Sequence, residues 1–125
     1  MPEDVVAFVR RSRRVIVCTK VRSIVAYASG EDADLRLKSV AIGHASISIA
    51  EAAEAAGMEA IGKIARGIAA MSEKHRITGV LRVEALKLHI DSLALVARGA
   101  GGRSRENDLI VAKLAAMRAA ICIVE

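Results

Sequence analysis

The sequence predicts an α+β domain: a compact two-layer structure in which helices pack on a mixed sheet. Three observations lead there. Val15, Ile16 and Val17, with Cys18 and Thr19, form a β-branched run of strand length, which suits a pleated, half-buried surface. Leu86, Leu88 and Ile90 alternate with Lys87, His89 and Asp91, the period of two that exposes one face of a strand. Ile61, Ile64, Ile68 and Met71 recur at helical spacing, and such a stripe needs a surface to pack on.

Taken in order, residues 2–9 suit a short helical turn, followed by the basic stretch Arg10, Arg11, Arg13 and Arg14. The strand at Val15–Thr19 comes next. Residues 22–29 fit either a short helix, through Ile24, Val25 and Ala28, or a strand, through Val25 and Tyr27; Gly30 ends both. Asp34–Ile42 alternates at Leu35 and Leu37 and then turns apolar, as a strand running from an edge into a core does. After Gly43 a helix is expected to about Gly57, with Ile47, Ala50 and Ala53 on one face. A second helix is expected over Met58–His75. Gly57 marks a break, whereas Gly62 and Gly67, each costing about 1 kcal/mol relative to alanine inside a helix, mark close packing. Ile77–Ala97 is expected to form a hairpin or a long bent strand, and 98–105 a loop or arm. Glu106–Ala120 reads as an amphipathic helix through Leu109, Ile110, Leu114 and Met117, and Ile121–Val124 as a closing strand.

A chain of 125 residues fits one domain, large enough to fold without disulfides or metals. Its apolar content is aliphatic: Phe8 and Tyr27 are the only aromatics. Platforms that stack single-stranded bases on aromatic rings are therefore disfavoured. The net charge is +5 and thirteen of the 19 cations are arginine. The charge is concentrated at the ends, +4 over residues 1–29 and +2 over 77–125. Arginine's planar fork matches phosphate oxygens, so a polyanionic partner is expected, although the same charge also serves solubility. Cys18 and Cys122 lie in apolar runs and read as buried thiols in a reducing compartment. With no signal-peptide pattern and no run long enough to span a bilayer, the reading is cytoplasmic with no membrane partner.

No nucleophile-elbow, zincin, phosphate-loop or dinucleotide signature occurs, so no catalytic residue and no cofactor are expected. His44, His75 and His89 stand at no metal-ligand spacing; His89 and Asp91 would at most give two ligands on one strand face. The Gly-rich segment 99–102 could cradle a phosphate with Ser104 as the N-cap of the last helix. Glu106 and Asp108 in that helix's first turn would repel it. A mobile arm carrying Arg98, Arg103 and Arg105 fits better, with a flexible connector as the plain alternative.

Two segments, Val15–Ala28 and Leu35–Glu54, resemble the Alba family of small DNA- and RNA-binding proteins. They are similar to its first strand, basic turn and helix, and to its second strand, Gly-basic-Ala junction and second helix. The resemblance implies a βαβαββ domain, here with an extra helix over Met58–His75 and a C-terminal helix, that dimerises and binds duplexes through basic loops and a hairpin arm. Lys20 and Arg22 then match the basic turn, His44 the basic residue after the junction glycine, and Arg103 and Arg105 the arm.

The expectation is thus a sequence-tolerant DNA- or RNA-binding homodimer using Arg13, Arg14, Lys20, Arg22, His44, Arg98, Arg103 and Arg105. Two other readings remain. One is a small oligomeric enzyme or ligand-binding protein with a site gathered from His44, Ser46, His89 and Asp91. The other is a self-assembling scaffold in which the Ile61, Ile64, Ile68, Met71 stripe binds another protein or its own copy.

Overall fold

A computed structural model describes the backbone of residues 3–99 and 103–124, and the side chains of 4–99 and 103–121. The described residues form five helices: α1 (Glu3–Tyr27), α2 (Asp32–Ala55), α3 (Glu59–Thr78), α4 (Val83–Arg98) and α5 (Arg105–Val124). Among the described residues there is no strand. The α+β class, the mixed sheet and the Alba-like architecture are therefore overturned, and the chain is a helical bundle.

Each predicted strand fails for a reason visible in its burial. Val15–Thr19 lies inside α1, where Val17, Val21, Ile24 and Ala28 are buried at helical spacing while Val15 and Ile16 are exposed. Asp34–Ile42 opens α2, whose buried line runs Leu35, Ser39, Ile42, Ser46, Ile49 and Ala53. The expected hairpin over 77–97 resolves into the end of α3, a turn and α4, with Val83, Leu86, Ile90, Leu93 and Val96 buried. Residues 121–124 end α5 rather than forming a strand. β-branched residues cost only about 0.5 kcal/mol each in a helix, whereas burying one Val, Leu or Ile side chain contributes about 1.5–3 kcal/mol, so packing decides.

The expected helix over Met58–His75 is observed as α3, and its stripe finds a partner inside the same chain. Ile61, Ile64 and Ile68 are no more than 1% exposed, and Met71 packs partly against them. The surface proposed for binding another copy is thus the core itself. Helices α2 and α3 form the central antiparallel pair; α1 packs on α2 and α4, and α5 on α3 and α4. The α2–α3 turn is made by Gly57 at φ +74°, and α3 stops at Gly79, φ +75°, whose N–H donates to the His75 carbonyl at 2.8 Å. These left-handed positions favour glycine because other residues place Cβ against the backbone there. Both aromatics are exposed, so the core is aliphatic, built around Leu35, Ile42, Ile49, Met58 and Leu93 besides the α3 isoleucines.

Candidate nucleic-acid interface

Helix α1 is longer than its packing requires. From residue 4 to residue 16 no side chain is buried; Val17 is the first. On a helix the line through Val17, Val21 and Ile24 continues backwards through Arg10, Arg13 and Arg14. The side of α1 that is apolar where it packs is therefore arginine where it overhangs. Arg10, Arg11, Arg13 and Arg14 are all exposed, and Arg13 Nη1 donates to the Ala55 carbonyl at 3.3 Å. That bond fixes the overhang beside the α2–α3 turn.

The connectivity brings further arginines to the same pole. Consecutive antiparallel helices put the start of α1, the end of α2, the start of α3, the end of α4 and the start of α5 at one end of the bundle. Two contacts tie this end together, Arg13 to Ala55 and Arg103 Nε to Glu59 Oε2 at 3.8 Å; the shorter α4 ends alongside the middle of α1, where the Cys18 thiol approaches the Ala97 carbonyl at 3.9 Å. Arg98, Arg103 and Arg105 thus share a pole with the four arginines of α1, although α1 and α5 make no contact among the described residues. Arg103 is held by carboxylates, Glu59 and, at 3.4 Å, Asp108. Arg10, Arg11, Arg14, Arg98 and Arg105 have no ion pair among the described residues.

The remaining predicted residues are elsewhere. Lys20 sits midway along α1 with Nζ donating to Ser48 Oγ at 3.0 Å, and Arg22 donates to Thr19 Oγ1 at 3.4 Å. His44 is exposed halfway along α2, in a groove shared with Glu73 and Arg76 of α3. None of the three is at the arginine pole. Conversely, Arg10 and Arg11 belong to it; their place in the same basic run as Arg13 and Arg14 was the signal that could have added them.

Residues 100–102 of the expected arm lie outside the described residues, as does the side chain of Cys122. Gly99 caps α4, and Ser104 Oγ accepts the Asn107 N–H at 3.1 Å, so the N-cap of α5 is as the sequence suggested. Glu106 and Asp108 occupy the first turn, where they complement the helix dipole. Cys18 is partly buried against the core rather than fully buried.

The residues of the small-molecule reading are not gathered. Ser46 and His89 are buried, His44 faces the α2–α3 groove and Asp91 faces one between α1 and α4. Among the described residues no three of His, Cys, Asp and Glu come together as a metal site would need. His89 is instead an internal fastener. Its Nδ1–H donates to the Ala85 carbonyl at 2.7 Å, and its Nε2 accepts from Arg118 Nη1 at 2.9 Å. Arginine can only donate, which fixes this tautomer. Burial, followed by the nearby Arg118 charge, holds His89 below the ordinary imidazole value against the opposing pull of the Ala85 bond. The Arg118 guanidinium lies against Gly67: a Cβ there would be 2.3 Å from Nη1. Predicted from sequence as a close-packing position, Gly67 makes room for a side chain from α5.

No helix among the described residues is long and apolar enough to cross a membrane. Comparison with known proteins finds no matching family model, no similar curated protein and no similar solved structure.

Proposed function

We propose that this helical bundle is a cytoplasmic, sequence-tolerant nucleic-acid-binding protein that contacts phosphates with its arginine pole. The observation that carries the reading is the gathering of Arg10, Arg11, Arg13 and Arg14 with Arg98 and Arg105 at one end, most of them without a carboxylate partner among the described residues. Exposed arginines on a rigid helix can meet phosphate oxygens with bidentate geometry. No aromatic is needed, because backbone contacts position a protein on a duplex without reading bases. Lys20, Arg22 and His44 are not part of this surface, and Arg103 acts on it only indirectly, through its pairs with Glu59 and Asp108.

The test is binding to a mixed-sequence duplex as a function of salt. Six engaged arginines give a log–log slope of about −5, since each phosphate neutralised contributes about −0.9 on DNA. Replacing Arg10, Arg11, Arg13 and Arg14 together by alanine is expected to flatten that slope by about 3–4 and weaken binding on every sequence alike. Lys20→Ala/Arg22→Ala should leave both unchanged. No binding at low salt, or full affinity in the fourfold variant, overturns the reading.

A second reading is favoured by one feature of the same overhang. Val5, Phe8, Val15 and Ile16 are exposed along the side of α1 away from the bundle, giving a basic amphipathic helix suited to an anionic membrane surface. Binding to phosphatidylserine vesicles that is lost in Phe8→Glu, with no binding to duplex, would select it.

A further inference from the structure

We infer that two copies of this chain pair antiparallel through the outer face of α2. The observation is a second apolar line on that helix. Leu35, Ile42 and Ile49 recur at seven-residue intervals and are no more than 1% exposed, facing the chain's own core. On the opposite side Ala33, Leu37, Val40, His44, Ile47 and Glu51 recur at spacings of four and three, the repeat that lines a two-helix seam. This outer line is uncovered: Leu37 is 86% exposed, Val40 43% and Ile47 42%. Among the described residues almost none of the Leu37 side chain is covered.

The sequence of the line selects both the occupant and its direction. It is symmetric about Ile42, so an antiparallel copy sets Leu37 against the partner's Ile47 and Val40 against the partner's His44. The exposed residues flanking the line on its α1 side, Ala41 and Ser48, are small, which lets two helices approach closely. Arg36, at the edge of the line, then comes within reach of the partner's Glu51, two such pairs per dimer. A parallel copy would instead oppose Glu51 to Glu51 across the seam, which like-charge repulsion disfavours, and would leave Arg36 without that partner. On the rim, Lys20 stays on Ser48 and the Glu73–Arg76 pair lies beside His44, providing a polar border. This pairing uses a surface separate from the arginine pole and does not depend on nucleic-acid binding.

Sedimentation equilibrium or light scattering on the full chain tests it without any ligand. The expected mass is twice 13.2 kDa at micromolar concentration. Leu37→Glu/Ile47→Glu should raise the dimer dissociation constant at least about 100-fold while leaving helical circular dichroism intact, because both side chains already face solvent in one chain. Should that variant misfold, Val40→Lys alone serves the same purpose. Arg36→Glu should weaken the dimer, and Arg36→Glu/Glu51→Arg should restore it, an outcome that only the antiparallel arrangement gives. A wild-type monomer at every concentration, or a dimer indifferent to Leu37→Glu/Ile47→Glu and to Val40→Lys, overturns the inference.

Discussion

Gly43→Ala is expected to destabilise the bundle by about 1–3 kcal/mol, the range for forcing a methyl group into a packed interior. Two effects oppose each other. Alanine is better than glycine inside a helix by about 1 kcal/mol, and at an open position that gain would prevail. At residue 43 a Cβ would be 2.2 Å from Ser72 Oγ and 2.6 Å from Ser72 Cβ. The Cβ of Ser72 is fixed to the α3 backbone, and its hydroxyl donates to the buried Ser39 carbonyl at 2.7 Å. Rotating the hydroxyl aside would therefore break a buried hydrogen bond and still leave the carbon in place. Helices α2 and α3 must separate, loosening the contacts of Ile42, Ile64 and Ile68 together. Chemical denaturation should show a lower midpoint, and Gly43→Leu should fail to fold. Adding Ser72→Gly to Gly43→Ala should recover part of the loss, although Ser72→Gly alone destabilises; additive losses in that double-mutant cycle would refute the close-approach account.

The same pair of helices explains why so much of the architecture was hard to read in the sequence. The buried line of α2 alternates strong and weak signals, with Ser39, Gly43 and Ser46 between Leu35, Ile42 and Ile49. The exposed line carries Leu37, Val40 and Ile47. Superposed, the two lines make residues 34–42 look like a strand entering a core. In α4 the buried Leu86 and Ile90 keep helical spacing with Leu93, but exposed Leu88 completes a false alternation, and His89, assigned to the polar face, is fully buried. In α1, exposed Val15 and Ile16 adjoin buried Val17 and hide the line to Val21 and Ile24. Apolar residues left on the outside thus blurred the period in each case. Where the outside is mostly charged or small, as in α3 with Glu59, Lys63, Arg66 and Glu73, the helix and its core face were legible from residue types alone.

The candidate site was legible in part for a different reason. A run of arginines keeps its chemistry whatever the secondary structure, so the basic stretch before Val15 and the arginines flanking the Gly-rich segment could be singled out without the fold. Their meeting at one pole needed the antiparallel order of five helices. Lys20, Arg22 and His44 were selected through an architecture that the chain does not have, and they are away from that pole. His89–Arg118 could not be found in the sequence, since the two residues are 29 positions apart on different helices.

That internal pair should make stability fall on mild acidification, before the exposed carboxylate pairs respond. His89 is neutral in the fold and held below its ordinary value of 6.5 by burial and by Arg118. The unfolded chain takes up a proton as pH drops through about 6.5, while the folded chain does not until its own lower value is reached. The contribution of this pair is therefore fully present above pH 6.5, declines by at most about 1.4 kcal/mol for each pH unit inside that window, and levels off below the folded value. Protonation also removes the acceptor that Arg118 uses, and two cations then face each other where α5 joins α3 and α4. Helix α5 is the element most exposed to this loss, because Leu114 is its only buried side chain among the described residues. Arg66 and Arg76 hold Glu54 and Glu73 below the usual carboxylate value of 4.5, so those pairs are lost only in stronger acid. Urea unfolding between pH 7.5 and 5 should show the decline in the wild type. His89→Gln, which can donate and accept but cannot titrate, should be flat over the same range. Gly67→Ala, which evicts the guanidinium by its flexible end, should lower stability at every pH and soften the decline. An equal slope in wild type and His89→Gln would place the titrating group elsewhere and remove His89 from the account.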